Sequence, residues 1–410
     1  MSFTLDRVRA QFSALHQSHN GLPVTFFDGP GGSQVPESVL EAMISYLGHH
    51  NSNLGAPYIT SQITSELVAS AREACRAFLN ALSADSIVFG ANMTSLTFSL
   101  SRAISRQWQA GDEIVVTELD HYANVSSWRQ AAEDKSVVVK TALVDESDCS
   151  LDIEHMLSLI TPKTRLVAVT LASNVSGSII DISSIVSAAK QVGAMVYVDA
   201  VHYAPHHLID VQKLECDFLV CSAYKFFGPH IGVAYIAQPW LEELTPYKVE
   251  PAPANGPGRF ETGTQSFEAL AGLVACIDYL GQWGEAGLGL RQRLEQSYAF
   301  YNQHETQLSD YFLQQLAQRP HIKLWGRHSA DSQQRTSTFA LTFEQHASQE
   351  VAQALGQQNL CTSNGHFYAL GLIRQLGLEN CGGVVRIGLM HYSTVDEIDR
   401  LFEQLDALTQ

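Results

Sequence analysis

Apolar positions along the chain come in two textures. Between residues 87 and 236, short runs rich in β-branched residues alternate with stretches whose apolar residues recur every three or four positions. Ile87–Phe89, Ile114–Thr117, Val137–Val139, Leu166–Leu171, Met195–Val198, Phe218–Cys221 and Gly232–Ile236 read as strands. Ser65–Leu79, Ser95–Trp108 and Ile182–Val192 carry helical periodicity. Strands that are apolar throughout, rather than at every second residue, need cover on both faces. The pattern therefore predicts an α/β fold whose mostly parallel sheet is sandwiched by helices.

Beyond Gly263 the texture changes. Phe267–Leu280 and the long Leu290–Leu316 read as helices. A strand near Ser337–Leu341, a helix at Ser348–Leu355, a strand at Gly383–Leu389 and a last helix from Thr394 to Leu408 follow. This order suggests a smaller α+β lobe, and 410 residues exceed one simple core. The division expected is a helical segment over 1–20, a large domain over 21–284 and a small C-terminal domain over 285–410. Pro251–Arg259 is the most loop-like stretch.

Composition narrows the class. Hydrophobic residues make up 45% and charged residues 16%, as in a globular chain. A net charge of −17 argues against nucleic acid or an anionic membrane as the main partner. No apolar run is long enough for a membrane helix, and Met1–Arg7 lacks the basic start and apolar stretch of a secretory signal. Seven scattered cysteines without CxxC spacing fit reduced thiols. The expectation is a cytoplasmic protein with a small-molecule partner and no metal.

Two polar residues end apolar runs where surface residues would be out of place. Asp199 follows Val196-Tyr197-Val198, and Lys225 lies in Ser222-Ala223-Tyr224-Lys225-Phe226-Phe227-Gly228-Pro229. Pyridoxal phosphate (PLP) chemistry needs this couple. A lysine amine makes a Schiff base with the cofactor aldehyde, and a carboxylate keeps the pyridine nitrogen protonated so that the ring accepts electrons. Taken alone, Lys225 is better explained as a snorkelling side chain and Asp199 as a strand-end cap.

Other residues fill in the remaining needs. Gly90-Ala91-Asn92-Met93-Thr94-Ser95 follows a strand and opens a helix, a turn that suits a phosphate as well as an ordinary N-cap. Ser222 could reach the same phosphate. His202 could bond the phenolic oxygen of the ring, and His121 could stack on its face. His202, His206 and His207 lack a second ligand set with zinc spacing. Asp28-Gly29-Pro30-Gly31-Gly32-Ser33 is a tight turn or a backbone wall near substrate, with Gly31 in its middle. It is not a dinucleotide fingerprint. Arg386 interrupts the apolar run Val384–Leu389, so it needs a partner, either a substrate carboxylate or a structural acid.

Together these blocks resemble the class V aminotransferase superfamily of fold-type I PLP enzymes, and within it the cysteine desulfurase-like branch. The strongest are Ser173-Asn174-Val175-Ser176-Gly177, Val198–His202, Ser222–Pro229, Arg259-Phe260-Glu261-Thr262-Gly263-Thr264 and Val385–Gly388 with Tyr392-Ser393-Thr394. The resemblance implies that Lys225 carries the Schiff base, Asp199 pairs with the pyridinium and His121 stacks on the ring. Asn174 and His202 fall near the phenolic oxygen. Asn92, Met93, Thr94, Ser222 and Tyr224 fall at the phosphate, although the branch usually has histidine where Tyr224 stands. Thr264 is implied to reach the phosphate of a neighbouring subunit, hence a homodimer. Arg386 is implied to anchor the carboxylate of an amino-acid substrate, with Asn174, Gly31, Asn53 and His366 nearby.

The chain departs from the branch where desulfurases carry their persulfide-forming cysteine. In Ser363-Asn364-Gly365-His366-Phe367-Tyr368-Ala369 that position is Tyr368, and a phenol does not accept sulfur as a thiolate does. Cys361 reads as a buried strand residue. Gly55-Ala56-Pro57-Tyr58 also replaces a His/Arg-containing segment. The function expected is a PLP-dependent enzyme acting on an amino acid, with a β-lyase, aminotransferase or epimerase as alternatives. A non-catalytic PLP-binding regulator is the alternative from another class.

Overall fold

The computed structural model describes residues 3–409. The seven apolar runs become one seven-stranded sheet. Its order is Ile87–Gly90, Gly232–Ile236, Phe218–Ser222, Met195–Asp199, Thr164–Thr170, Glu113–Thr117 and Val138–Ala142. Neighbours run parallel except that Gly232–Ile236 is antiparallel to the strands on both its sides. A short connection causes the exception. Ser222 is paired directly with Gly232, and the link between them is too short for the crossover a parallel partner requires.

The double-sided cover inferred from the apolar runs is present. Val196, Val198, Leu219 and Val233 face one core, with Cys75, Phe78, Ile185 and Leu273 from the helices Ile59–Leu79, Ser183–Gln191 and Phe267–Leu280. Met195, Tyr197, Phe218 and Val220 face the other, with Leu96, Leu100 and Trp128 from Met93–Ile104 and Ala123–Glu133. Successive residues point to opposite faces, so a strand buried on both must be apolar at every position.

The C-terminal lobe is an antiparallel sheet in the order Ile322–Trp325, Thr338–Phe343, Val384–Gly388 and Ser363–Gly365. Helices Leu290–Ala317, Ser348–Gln357 and Val395–Thr409 pack on it around Phe312, Phe339, Leu401 and Phe402. The rings of Phe312 and Phe339 lie 3.9 Å apart. Ile322–Trp325 and Ser363–Gly365 are strands that the apolar pattern does not predict. Lys323 interrupts the first, and the second is polar.

The N-terminal stretch stitches into this lobe. Thr25–Phe26 pairs in parallel with Leu360–Cys361, and Gly388 donates its N–H to Phe27 O at 2.7 Å. Phe27 is buried in the lobe's core. The turn that follows, residues 28–33, is thereby carried to the junction of the two lobes. A Cβ on Gly388 would lie 2.1 Å from Pro30 Cδ, so this close approach requires glycine. Among the described residues no helix is long and apolar enough to cross a membrane.

Candidate active site

A cleft of about 890 Å³ opens where the parallel strands end and the small lobe begins, the usual place for a ligand on an open α/β sheet. Lys225 sits in the one-turn helix Ala223–Lys225 that ends the strand Phe218–Ser222. Its Nζ donates to Pro30 O at 2.5 Å and Gly31 O at 2.8 Å. Burial, reinforced by the Arg386 guanidinium and opposed by Asp28 and Asp199, brings this amine down to about 8. Asp199 ends the adjacent strand and accepts the Val201 N–H at 2.8 Å. Burial raises its carboxyl to about 6, while that hydrogen bond and Lys225 pull the other way.

The corner of the cleft at the start of the helix Met93–Ile104 is built for close approach. A Cβ on Gly232 would lie 2.5 Å from the Asn92 backbone. Asn92 Oδ1 accepts Ser95 N–H at 2.9 Å, and Ser95 Oγ accepts Asn92 N–H at 3.2 Å, which closes a capping box. Ser222 Oγ accepts Met93 N–H at 2.9 Å. Three of the orphan donors at this helix start, those of Asn92, Met93 and Ser95, are thus already met, which leaves Thr94 as the corner's main polar group toward the cleft. Across the cleft the Tyr224 ring lies parallel to His230, with centres 4.7 Å apart. Lys225 Nζ lies 4.9 Å from the Tyr224 ring centre.

His121 follows the strand Glu113–Thr117, and its Nδ1 accepts Ala123 N–H at 3.0 Å. That bond leaves the proton of the neutral ring on Nε2. Burial, with Lys225 and Arg386 adding to it, takes the imidazole down to about 4, so it is neutral at pH 7. His202 is buried, and its Nε2 meets Thr336 Oγ1 at 3.1 Å, which leaves Nδ1 for a ligand in the cleft. Its neighbour His206 is engaged with Glu305 Oε2 at 2.6 Å.

Arg386 enters from the small lobe. Its Nη1 donates to Asn174 O and its Nη2 to Asp28 Oδ1, each at 2.9 Å. Asn174 Nδ2 donates to Phe367 O at 2.8 Å. The Phe367 ring lies 3.9 Å from Arg386 Cζ, and the Tyr368 ring stacks on His121. Phe367 and Tyr368 both adopt left-handed backbone, with φ of 49° and 60°. Such conformations are unfavourable for bulky residues and concentrate at functional sites.

The cleft therefore brings together Lys225, His121, Asn92, Met93, Thr94, Asn174, Asp199, His202, Ser222, Tyr224, Arg386, Gly31 and His366. Asn53 and Thr264 do not line it. Both are exposed on segments outside this cleft. Cys361, expected to be buried, is only partly so, and no cysteine is among the residues described as lining the cleft. Asp28, Phe367 and His230 also line the cleft, though no sequence motif marks their roles. Only the acid at the head of the glycine-rich turn offered a signal.

The donor set fits PLP. An amine of lowered basicity suits the aldehyde, a buried carboxylate suits the ring nitrogen, Thr94 at a helix start suits the phosphate, and a neutral imidazole suits the ring face. Asn174 Oδ1 and Arg386 Nε are buried without partners among the described residues, which calls for a polar ligand beside them.

The family model for class-V aminotransferases matches residues 25–401. A cysteine desulfurase of Pectobacterium carotovorum is 32% identical, over 100% of this chain and 98% of its own. An aminotransferase-like protein of Gibberella zeae is 33% identical over 99% of this chain and 98% of its own. Among solved structures, an apo cysteine desulfurase from Thermococcus onnurineus superposes with a TM-score of 0.88 at 23% identity, covering 100% and 99% of the two chains.

Proposed function

This chain belongs to the class-V aminotransferase family, and we propose that it is a PLP-dependent enzyme acting on an amino acid through Lys225, without a sulfur-carrying cysteine in its active-site loop. Bound PLP supplies an electron sink for negative charge developing at the substrate Cα. Lys225 is the attachment point for the cofactor aldehyde and then the base that moves the Cα proton, a role suited to an amine near 8. Asp199 would hold the ring nitrogen protonated, His121 would stack on the ring face, and Asn174 would lie near the phenolic oxygen and the substrate. Arg386 receives the substrate carboxylate. Thr94 at the helix start would hold the phosphate.

The observation that carries this reading is the convergence of Lys225, Asp199 and Arg386 on one cleft. Tyr368 stands at the mouth with 67% exposure, and no cysteine is described as lining the cleft. This favours chemistry completed at Cα and Cβ over sulfur transfer to loop residue 368. The test is a spectral screen of amino acids against the yellow holoprotein, with product identification. Lys225→Ala should lose the visible band and all turnover. A colourless wild type that ignores added PLP refutes the proposal.

The active form is proposed to be a homodimer in which Thr264 reaches the partner's phosphate site. In support, Leu40, Ile44 and Leu47 line one face of the helix Glu37–His49, and Ile44 is 70% exposed. Leu54, Tyr58 and Ile59 lie exposed just beyond. Sedimentation of the wild type and of Ile44→Glu tests this, with the variant expected to be monomeric and depleted of cofactor.

A further inference from the structure

The surroundings of Arg386 are crowded. Only 4% of its side chain is exposed. Asn174 O takes Nη1, Asp28 Oδ1 takes Nη2, and the Phe367 ring covers the plane at 3.9 Å. Nε is buried without a partner. The carboxylate of Asp28 is held for this contact. Its Oδ2 accepts Ser363 Oγ–H at 2.8 Å, and a Cβ on Gly31 would lie 2.3 Å from that oxygen. The same turn serves the cleft's other cation, since Pro30 O and Gly31 O both accept from Lys225.

Asp28 meets the guanidinium through one oxygen only. Nε and Nη2 share an edge whose spacing matches the two oxygens of a carboxylate. A ligand carboxylate that took both donors would satisfy the orphaned Nε, which Asp28 does not. Two carboxylates on one buried guanidinium repel, so one must leave. Asp28 is the one able to go, because 32% of its side chain already meets water.

We infer that Asp28 is a resident stand-in for the substrate carboxylate: it holds the Nη2 donor of Arg386 until an amino-acid carboxylate exchanges for it. The inference rests on the reading of Arg386 as the substrate anchor. Asp28 then acts as a specificity-determining residue. Every ligand pays the cost of displacing it, and only a carboxylate that engages both Nε and Nη2 recovers that cost. Anions that offer a single oxygen gain little.

The experiment is a titration of PLP-loaded protein with L-alanine, followed by the visible band. A parallel titration with propionate, which has a carboxylate and no amine, is followed by calorimetry. Asp28→Asn keeps the shape and the Ser363 contact but removes the competing charge, and both ligands should bind about five- to tenfold more tightly. Ser363→Ala loosens Asp28 and should move binding the same way by a smaller factor. Unchanged or weaker binding in Asp28→Asn, at a wild-type melting temperature, overturns the inference. If Asp28→Asn does not fold, Ser363→Ala decides, and unchanged or weaker binding there overturns it equally. Arg386→Ala separates the two readings. If it binds both ligands as the wild type does, the anchor itself is wrong. If it loses them while the Asp28 and Ser363 variants bind as wild type, only the stand-in is wrong.

Discussion

The ring of Tyr368 lies on the ring of His121, with centres 5.2 Å apart and planes inclined by 26°. The loop is fixed there by its backbone as well, since Tyr368 O accepts Tyr122 N–H at 2.7 Å and Phe367 O accepts the Asn174 amide. The loop thus presents an aromatic wall held from within the site.

That wall depends on the ring and not on its hydroxyl, for which no hydrogen bond is described. Tyr368→Phe should leave amino-acid binding and turnover within about twofold. Tyr368→Ala removes a stacked pair of about 1 kcal/mol and should raise KM by about fivefold. Steady-state kinetics on both variants, with whichever amino acid the spectral screen identifies, checks this. A Tyr368→Phe enzyme that is inactive would give the phenol a chemical role instead.

Cofactor attachment should follow the protonation of Lys225. Only the neutral amine attacks an aldehyde, and burial has brought this amine from the ordinary lysine value to about 8. The rate at which cofactor-free protein takes up PLP should therefore rise with pH, turn over near 8 and level off above about 9. Stopped-flow absorbance across pH 6–10 measures it. A rate still climbing at pH 10 would contradict the lowered basicity.

Asp199→Asn tests the ring-nitrogen role. The amide is isosteric and keeps the Val201 contact, but it carries no charge to hold a proton on the ring. The variant should bind PLP and remain yellow while its turnover falls by about a hundredfold or more. Loss of cofactor without a change in per-site rate would instead assign Asp199 to binding.

Arg335 supports the site from behind. It is buried with no carboxylate partner among the described residues, and its guanidinium is satisfied by the carbonyls of Ser176, Arg327, Thr336 and Thr338 and by the Phe339 ring. Burial lowers its basicity to about 9. Ser176 belongs to the loop that carries Asn174. Arg335→Lys cannot reach all these carbonyls and should cost about 3 kcal/mol, read as a shift in urea unfolding. A variant within about 0.5 kcal/mol of wild type would show that the carbonyls find other partners.

Local physics made part of this protein readable in advance. Strands buried on both faces must be apolar at each residue, so the inner strands of the large sheet stand out from the sequence, while the edge strand Val138–Ala142, only partly buried and carrying Lys140 and Thr141, shows through its two valines alone. Phe267–Leu280 and the long helix from Leu290 announce themselves by periodicity. Ile322–Trp325 and Ser363–Gly365 do not, because their positions are set by edge pairing and not by an apolar pattern. Lys225, Asp199 and His121 were suggested by where they sit at strand ends. Arg386 was suggested by being a charge inside an apolar strand.

The identity of Arg386's partner was not readable. A charge in an apolar run states that a counter-charge is needed, and nothing in the run says which. Asp28 stands 358 positions away and reaches the arginine only because Thr25–Phe26 pairs with Leu360–Cys361 and Gly388 admits Pro30. The sequence alone determined most of the elements and the cofactor chemistry, since burial patterns and residue types act over short range. The tertiary structure decided which groups meet, because pairing between distant strands is a property of the packed whole.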